Sequence, residues 1–242
     1  MANVLAVIPA RMGSTRLPWK NRLEIEVGVS LAQHAVDCAR GSGVCSHVVV
    51  STDAPEYLPV RDAHVSKRPM ELSEATADIA DVVCHELVTA ERARREQFDL
   101  VVTLQPAVLA RSPIIVRRLV EAVIAAGAGG GLTMARSHPW VWTARGDTIS
   151  APWLPGPYPR SQDCGAVLQE INAVQVATRA AVMAGRRWDS PLVVAELPPW
   201  AAALDVDTAQ DLEEARAIWP FARRALEVWH GACRVLAVSP TS

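Results

Sequence analysis

The sequence predicts an α/β chain built on a doubly wound, mainly parallel sheet that carries one irregular excursion. Three observations predict it. Short apolar runs bounded by turn residues alternate with longer segments of helical period along most of the 242 residues, the pattern of strands joined by crossover helices. Half of the residues are hydrophobic, ample for a sizeable core in a single domain taken as residues 1–242. The first apolar run ends in a cationic loop, at the place where open parallel sheets bind ligands.

Val4 to Ile8 is apolar, rich in β-branched residues and stopped by Pro9, so it reads as a buried strand. The loop that follows holds Gly13, Ser14, Thr15 and Pro18 among the cations Arg11, Arg16, Lys20 and Arg22. Cationic side chains and free backbone N–H groups there suit a polyphosphate, although a basic loop of this composition also makes an ordinary solvated turn. Neither standard phosphate fingerprint, G-x-x-x-x-G-K-[ST] or G-x-G-x-x-G, follows the strand. Ser30 caps a predicted helix from Leu31 to Arg40 with Gly41 as its left-handed stop, and Val48 to Val50 completes a βαβ unit. Ser51-Thr52-Asp53 lies at the carboxyl end of this second strand, where Asp53 serves either a site or a turn.

Residues 54 to 75 read as irregular. A helix follows from Thr76 to about Glu96, with Ile79, Val82, Val83, Leu87 and Ala90 as its apolar stripe and Asp78, Asp81, Glu86 and Arg92 opposite. Asp99 to Leu104 is the next strand, and Gln105 after it is either a loop amide or a partner for a sugar hydroxyl. Ser112-Pro113 opens a helix to Ala126, closed at Gly127, and the Gly127 to Gly131 cluster reads as a helix end followed by a loop. Leu132 to Ala135 is a strand. From His138 to Cys164, Trp140, Trp142, Trp153 and Tyr158 lie among five prolines with little periodicity. This excursion, taken as 138–170, is either a surface loop or an interface with a partner subunit.

Strands resume at Ile171 to Ala177 and Pro191 to Leu197. Asp205 and Asp207 come next; on extended backbone they share a face and suit one hard cation, while Asp207 or Thr208 also suits the cap of the helix that follows. Phe221 to Val238 reads as an apolar and basic helical tail.

Composition narrows the function. With 24 basic against 26 acidic residues the net charge is −2, so no global field recruits a nucleic acid polymer. The start of the chain lacks the look of a secretion signal and no run approaches 18 apolar residues, so a cytoplasmic protein without a membrane partner is expected. The five cysteines contain no C-x-x-C pair and read as free thiols, the six histidines form no H-x-x-x-H pair, and there is no G-x-S-x-G.

Taken together, Ile8 to Asn21 (IPARMGSTRLPWKN), Val50-Ser51-Thr52-Asp53, Arg68-Pro69, Leu104-Gln105-Pro106 and Asp205-Val206-Asp207-Thr208 resemble the cytidylyltransferases that make CMP-activated acid sugars. The likeness is to CMP-N-acylneuraminate synthetases, with Ser14 to Pro18 also similar to the CMP-3-deoxy-manno-octulosonate branch, and it spans residues 3 to about 216 in the family's order. It implies a Rossmann-like nucleotidyltransferase fold and attack of an acceptor hydroxyl on the α-phosphorus of CTP, with magnesium and a homodimer. On this resemblance Arg11 and Lys20 hold the triphosphate, Asn21 and Arg68 help bind CTP with Ala10, Gly13, Ser14 and Thr76, and Asp205 and Asp207 bind Mg2+. Gln105 touches a small acidic acceptor, joined by Arg160, Gln162 and Asn172 from the R-x-Q-D and N-G-a-i-Y segments. Departures fall on the acceptor side: Ala107-Val108-Leu109-Ala110 stand where the synthetases commonly read T-S-P-L, so polar contacts are missing, and Ala173-Val174-Gln175-Val176 follow Asn172 in place of G-a-i-Y. Two other readings are a sugar-1-phosphate nucleotidyltransferase, whose glycine-dense loop is absent, and a degenerate relative that only binds a nucleotide.

Overall fold

A computed structural model describes residues 2–138 and 140–237. The elements in chain order are β1 (Val4–Pro9), a small hairpin of β2 (Glu24–Glu26) and β3 (Val29–Ser30), α1 (Leu31–Ser42), β4 (His47–Thr52), β5 (His64–Lys67), α2 (Ile79–Arg94) and β6 (Leu100–Thr103). The second half adds α3 (Pro113–Ala126), β7 (Gly130–Ser137), the hairpin β8 (Thr143–Arg145) and β9 (Thr148–Ser150), β10 (Val167–Thr178), α4 (Arg179–Met183), β11 (Leu192–Leu197), α5 (Ala209–Glu227) and β12 (Cys233–Leu236).

One sheet of eight strands runs β12-β11-β7-β10-β6-β1-β4-β5. The pairings β1 with β4, β1 with β6, β4 with β5 and β7 with β11 are parallel, whereas β10 is antiparallel to both neighbours and β12 to β11. Along β1 the side chains alternate. Val4, Ala6 and Ile8 join a core with Leu31 and Ala35 of α1, Leu119 of α3 and Trp219 of α5. Leu5 and Val7 join the other, with Leu87 of α2 and Val182 of α4. A strand buried on both faces needs apolar residues at every position, which is why Val4 to Ile8 has no polar alternation. The chain leaves β1 toward β4 on one side and pairs it with β6 on the other, so the loops after β1 and β6 diverge at a topological switch point.

Several boundaries differ from the sequence reading for identifiable reasons. Ser30 caps α1 by accepting from the Gln33 N–H, but the left-handed stop is Gly43 (φ 70°). Gly41 lies inside the helix, where a Cβ would come within 2.9 Å of Pro113 Cγ, so its role is close packing on α3. Helix α2 begins at Ile79, with Asp78 as its cap rather than part of its polar face. Glu86 is buried, not on that polar face. Gly130 and Gly131 belong to β7, not to a loop, and a Cβ on either would collide with Val176 O or with Leu119. The excursion contains the β8–β9 hairpin, and β10 already starts at Val167, inside the range assigned to it. The expected helical tail is the end of α5, through Pro220, followed by the edge strand β12. Pro139 and Val238 lie outside the described residues. Among those described, no helix is long and apolar enough to cross a membrane.

A buried arginine joins the two halves of the sheet. Arg111 is 1% exposed. Its Nη1 donates to Gln105 O at 2.7 Å and Ala173 O at 2.9 Å, and its Nη2 donates to Pro106 O at 3.1 Å. Burial lowers its pKa to about 10, still leaving it charged at neutral pH. The three carbonyls lie on the loop after β6 and in β10, so Arg111→Met would leave them without a donor. We expect a loss of about 2–4 kcal/mol in unfolding free energy, read from urea denaturation; an unchanged midpoint would show that the carbonyls find other donors.

Candidate functional site

The loop after β1 is anchored to β4 and to the segment just after it, leaving its cationic side chains free to point elsewhere. The Ala10 N–H donates to Ser51 O at 2.8 Å. The Met12 N–H donates to Asp53 Oδ1 at 2.7 Å, and Asn21 Nδ2 donates to Arg11 O at 2.7 Å. Trp19, in the left-handed region (φ 60°), precedes a single 3-10 turn over Lys20–Arg22 and packs edge-on against Tyr57. These contacts close the loop on itself beyond the carboxyl end of β1.

Arg11, Arg16 and Lys20 of this loop line a cleft of about 290 Å³ at the switch point. Gln105, Pro106 and Ala107 after β6 form its second wall, and Ile79 and Val82 of α2 contribute an apolar side. Arg68 supplies the base of the site. Its Nη2 donates to Ser51 O at 2.6 Å, its Nε to Ser51 Oγ at 3.2 Å and its Nη1 to Leu72 O at 3.3 Å. Burial pulls this guanidinium below the usual arginine range, while the nearby charges of Asp53 and Glu86 oppose that shift. Glu86 accepts from Ser51 Oγ at 2.7 Å and so holds the same serine from α2.

Asp207 closes the cleft opposite the loop. Its Oδ1 accepts from Lys20 Nζ at 2.9 Å, and its Oδ2 lies 2.8 Å from Arg16 Nη2. The capping reading does not hold for it: Thr208 caps α5 through the Asp211 N–H, and Asp211 accepts from the Asp207 and Thr208 N–H groups. Asp205 lies outside the cleft wall, tied to Val108 by an isolated antiparallel bridge. Burial first, and then the Asp207 charge, push its carboxyl above the usual aspartate range.

Of the residues expected from the sequence, Arg11, Ser14, Lys20, Asn21, Arg68, Gln105 and Asp207 meet at the cleft. The others do not line it. Ala10 is buried with its N–H already bonded, and Gly13 sits beside the lining residues in a loop where a Cβ would meet nothing within 4 Å. Thr76 is exposed ahead of α2, because that helix begins later than its period implied. Arg160 and Gln162 are exposed on the excursion, Arg160 paired with Asp163 at 2.7 Å. The Asn172 Oδ1 accepts from Gln175 Nε2 and Arg187 Nη2. Val108, Leu109 and Ala110 are core residues, so only Ala107 of that altered stretch faces the cleft.

Two contributors were not singled out from sequence. Arg16 was counted only as a loop cation, although it alternates with the expected pair Arg11 and Lys20. Glu86 falls at the helical spacing of Ile79, Val82, Val83 and Ala90, and a carboxylate on an apolar stripe is the signal of a buried, partnered acid.

The cationic loop lies at the switch point of a mostly parallel sheet, the place where open α/β sheets bind ligands, and the fold is the Rossmann-like nucleotidyltransferase fold. A structure of CMP:2-keto-3-deoxy-manno-octonic acid synthetase complexed with CTP matches it with a TM-score of 0.62 over 91% of this chain and 99% of that one, at 19% identity. Residues 5–105 match the cytidylyltransferase family model, and the chain resembles the CMP-sugar cytidylyltransferases. It is 36% identical to the CMP-N,N'-diacetyllegionaminic acid synthase of Legionella pneumophila over 121 residues, 49% of this chain and 52% of that protein. It is also 36% identical to the 3-deoxy-manno-octulosonate cytidylyltransferase of Chlorobium chlorochromatii over 106 residues, 43% of this chain and 38% of that protein. The chain thus spans about half the length, or less, of the curated relatives it matches.

The raised carboxyl of Asp205 yields a test. Because its charged form is disfavoured in the folded state, it lowers stability above the ordinary aspartate range, and the penalty fades as pH falls and the carboxyl protonates. Asp205 is exposed to water, which screens the penalty, so Asp205→Asn is expected to melt only slightly higher than wild type at about pH 7.5, with the gain vanishing near about pH 3.5. Thermal melts across that range check it, and a gain independent of pH would assign the effect to something other than charge.

Proposed function

We propose that this protein is a cytidylyltransferase that transfers CMP from CTP to a small acidic acceptor, a nonulosonic-acid-like sugar or a phosphonate, with release of pyrophosphate. The observation that carries this reading is the convergence of Arg11, Arg16 and Lys20 from one anchored loop on a single cleft with Arg68 and Gln105. In the reaction a bond forms between an acceptor oxygen and the α-phosphorus, and the bond from that phosphorus to the bridging oxygen of the β-phosphate breaks. Negative charge builds on the departing diphosphate, and cations already aimed at it stabilise that charge without reorganisation. The apolar wall of Ile79 and Val82 excludes water from part of the cleft. Holding the two reactants in line supplies the remainder of the acceleration. CTP as substrate agrees with the cytoplasmic setting expected from composition.

Asp205 and Asp207 would hold magnesium. Their donor chemistry fits the ion: Asp207 lines the cleft, and Asp205, raised first by burial and then by the Asp207 charge, is close enough for the two carboxylates to repel, which a divalent cation relieves. Two carboxylates suffice because Mg2+ keeps several waters and takes further oxygens from substrate phosphates. When bound, the ion would add charge neutralisation at the diphosphate.

For the acceptor, Gln105 presents an uncharged side chain to the cleft and suits a sugar hydroxyl. Arg160 and Gln162 serve this site only if the excursion reaches across a two-fold axis, and the excursion has the surface for it. Trp140, Trp142, Tyr158, Leu154 and Ile149 are exposed there, and Val141, Pro152, Trp153 and Pro159 line an apolar groove of about 440 Å³. Such a patch is costly to leave in water. We therefore expect a homodimer in light scattering at micromolar concentration, and a monomer would remove Arg160 and Gln162 from the site.

The test of the activity is pyrophosphate release from CTP with a panel of acidic sugars and phosphonates, preceded by calorimetry with each nucleoside triphosphate and magnesium. CTP is expected to bind roughly tenfold or more tightly than UTP, ATP or GTP. Equal affinity for all four would sink the assignment. Lys20→Ala should keep the fold and lose most of the turnover, since its ammonium contacts only Asp207 and the cleft.

A further inference from the structure

Both carboxylate oxygens of Asp207 are engaged, one by Lys20 and the other by Arg16. The fold itself does not require these ion pairs. Thr208 and Asp211 close the N-terminus of α5 without the Asp207 side chain. Arg16 lies on an exposed stretch of loop with its side chain 65% exposed, free to extend into water, yet it folds back to the carboxylate. Lys20 is much less exposed, at 14%, and its ammonium meets the same carboxylate from the other side. All three residues line the cleft. Two cations holding one acidic group between them are the arrangement that a phosphate group would itself impose.

We propose that Asp207 is an internal stand-in for the polyphosphate: it holds Arg16 and Lys20 at their binding positions, passes them to the entering triphosphate, and is thereby released toward magnesium. This rests on the reading of CTP as substrate. Three consequences follow from the geometry. The like charges of Arg16 and Lys20 are kept together in the free protein, so the loop does not have to be gathered when the nucleotide arrives. A carboxylate bonded on both oxygens to cations is a poor ligand for a divalent ion, so magnesium alone binds the free protein weakly. Nucleotide and metal then favour one another, because each takes one side of the same ion pairs.

The experiment is calorimetry on the full chain with CTP in the presence of EDTA, with magnesium chloride alone, and with both. Asp207→Asn is isosteric and leaves the α5 cap untouched. It is expected to bind metal-free CTP roughly three- to tenfold more tightly than wild type, since the gain from breaking no ion pair exceeds the cost of gathering two ungathered cations, and to lose the further tightening that magnesium gives the wild type. Removing any negative charge from the cleft would also favour a polyanion, so the cycle with Arg16→Ala decides the cause. If the ion pair is what the triphosphate displaces, the gain from Asp207→Asn shrinks in the Arg16→Ala background. A gain of equal size in both backgrounds, or none in either, would overturn the stand-in while leaving CTP binding intact. Absence of CTP binding to the wild type under every condition would overturn the cytidylyltransferase reading and this inference with it.

Discussion

Ser51 holds the cleft together from below. Its carbonyl accepts from the Ala10 N–H that starts the cationic loop and from Arg68 Nη2, and its hydroxyl donates to Glu86 while accepting from Arg68 Nε. One fully buried serine at the carboxyl end of β4 therefore sets the position of the loop after β1, of the arginine after β5 and of the helix α2. A guanidinium nearly shut off from water is tolerable only when its donors are satisfied and counter-charge is near. Ser51, Leu72 O, Glu86 and Asp53 meet those conditions together. The base of the cleft is pinned for this reason, and Arg11, Arg16 and Lys20 line the cleft from the loop above it.

How much of this was legible in the sequence depends on how local the cause is. The fold class was readable because a strand buried on both faces must be apolar throughout, and Val4 to Ile8 and Val48 to Val50 are. Caps were readable where a single side chain makes them, as Ser30 does. Helix ends and glycines were misread where a distant element decides: Gly41 answers to Pro113, Gly130 to Val176, and Gly131 to Leu119. The same rule sorts the site. Arg11, Lys20 and Gln105 follow strands directly and fall on the cleft, whereas Thr76 depends on where α2 begins, and Arg160 on how a long excursion returns.

The Gln105 side of the cleft is built on a different principle. Gln105 and Pro106 are fixed through their carbonyls by Arg111, which also grips β10 at Ala173, so the turn after β6 and the bulged part of β10 are held as one piece. Val108, Leu109 and Ala110 fill core positions beneath this piece. Glu170, Asn172 and Gln175 form a polar cluster on the bulge itself, hydrogen-bonded to one another and joined by Arg187 from the segment after α4.

The excursion leaves β7 and re-enters through β10, and these two strands are neighbours in the sheet, with Ser137 paired to Val167. Its two ends are therefore clamped side by side whatever lies between them. A loop closed by its own scaffold accepts changes of length cheaply, at about 0.6 kcal/mol for each doubling. In evolutionary terms this makes the segment a cassette: the residues from Trp140 to Asp163 are open to exchange or regrafting while the sheet, and the cationic loop that leaves the same edge from β1, stay as they are.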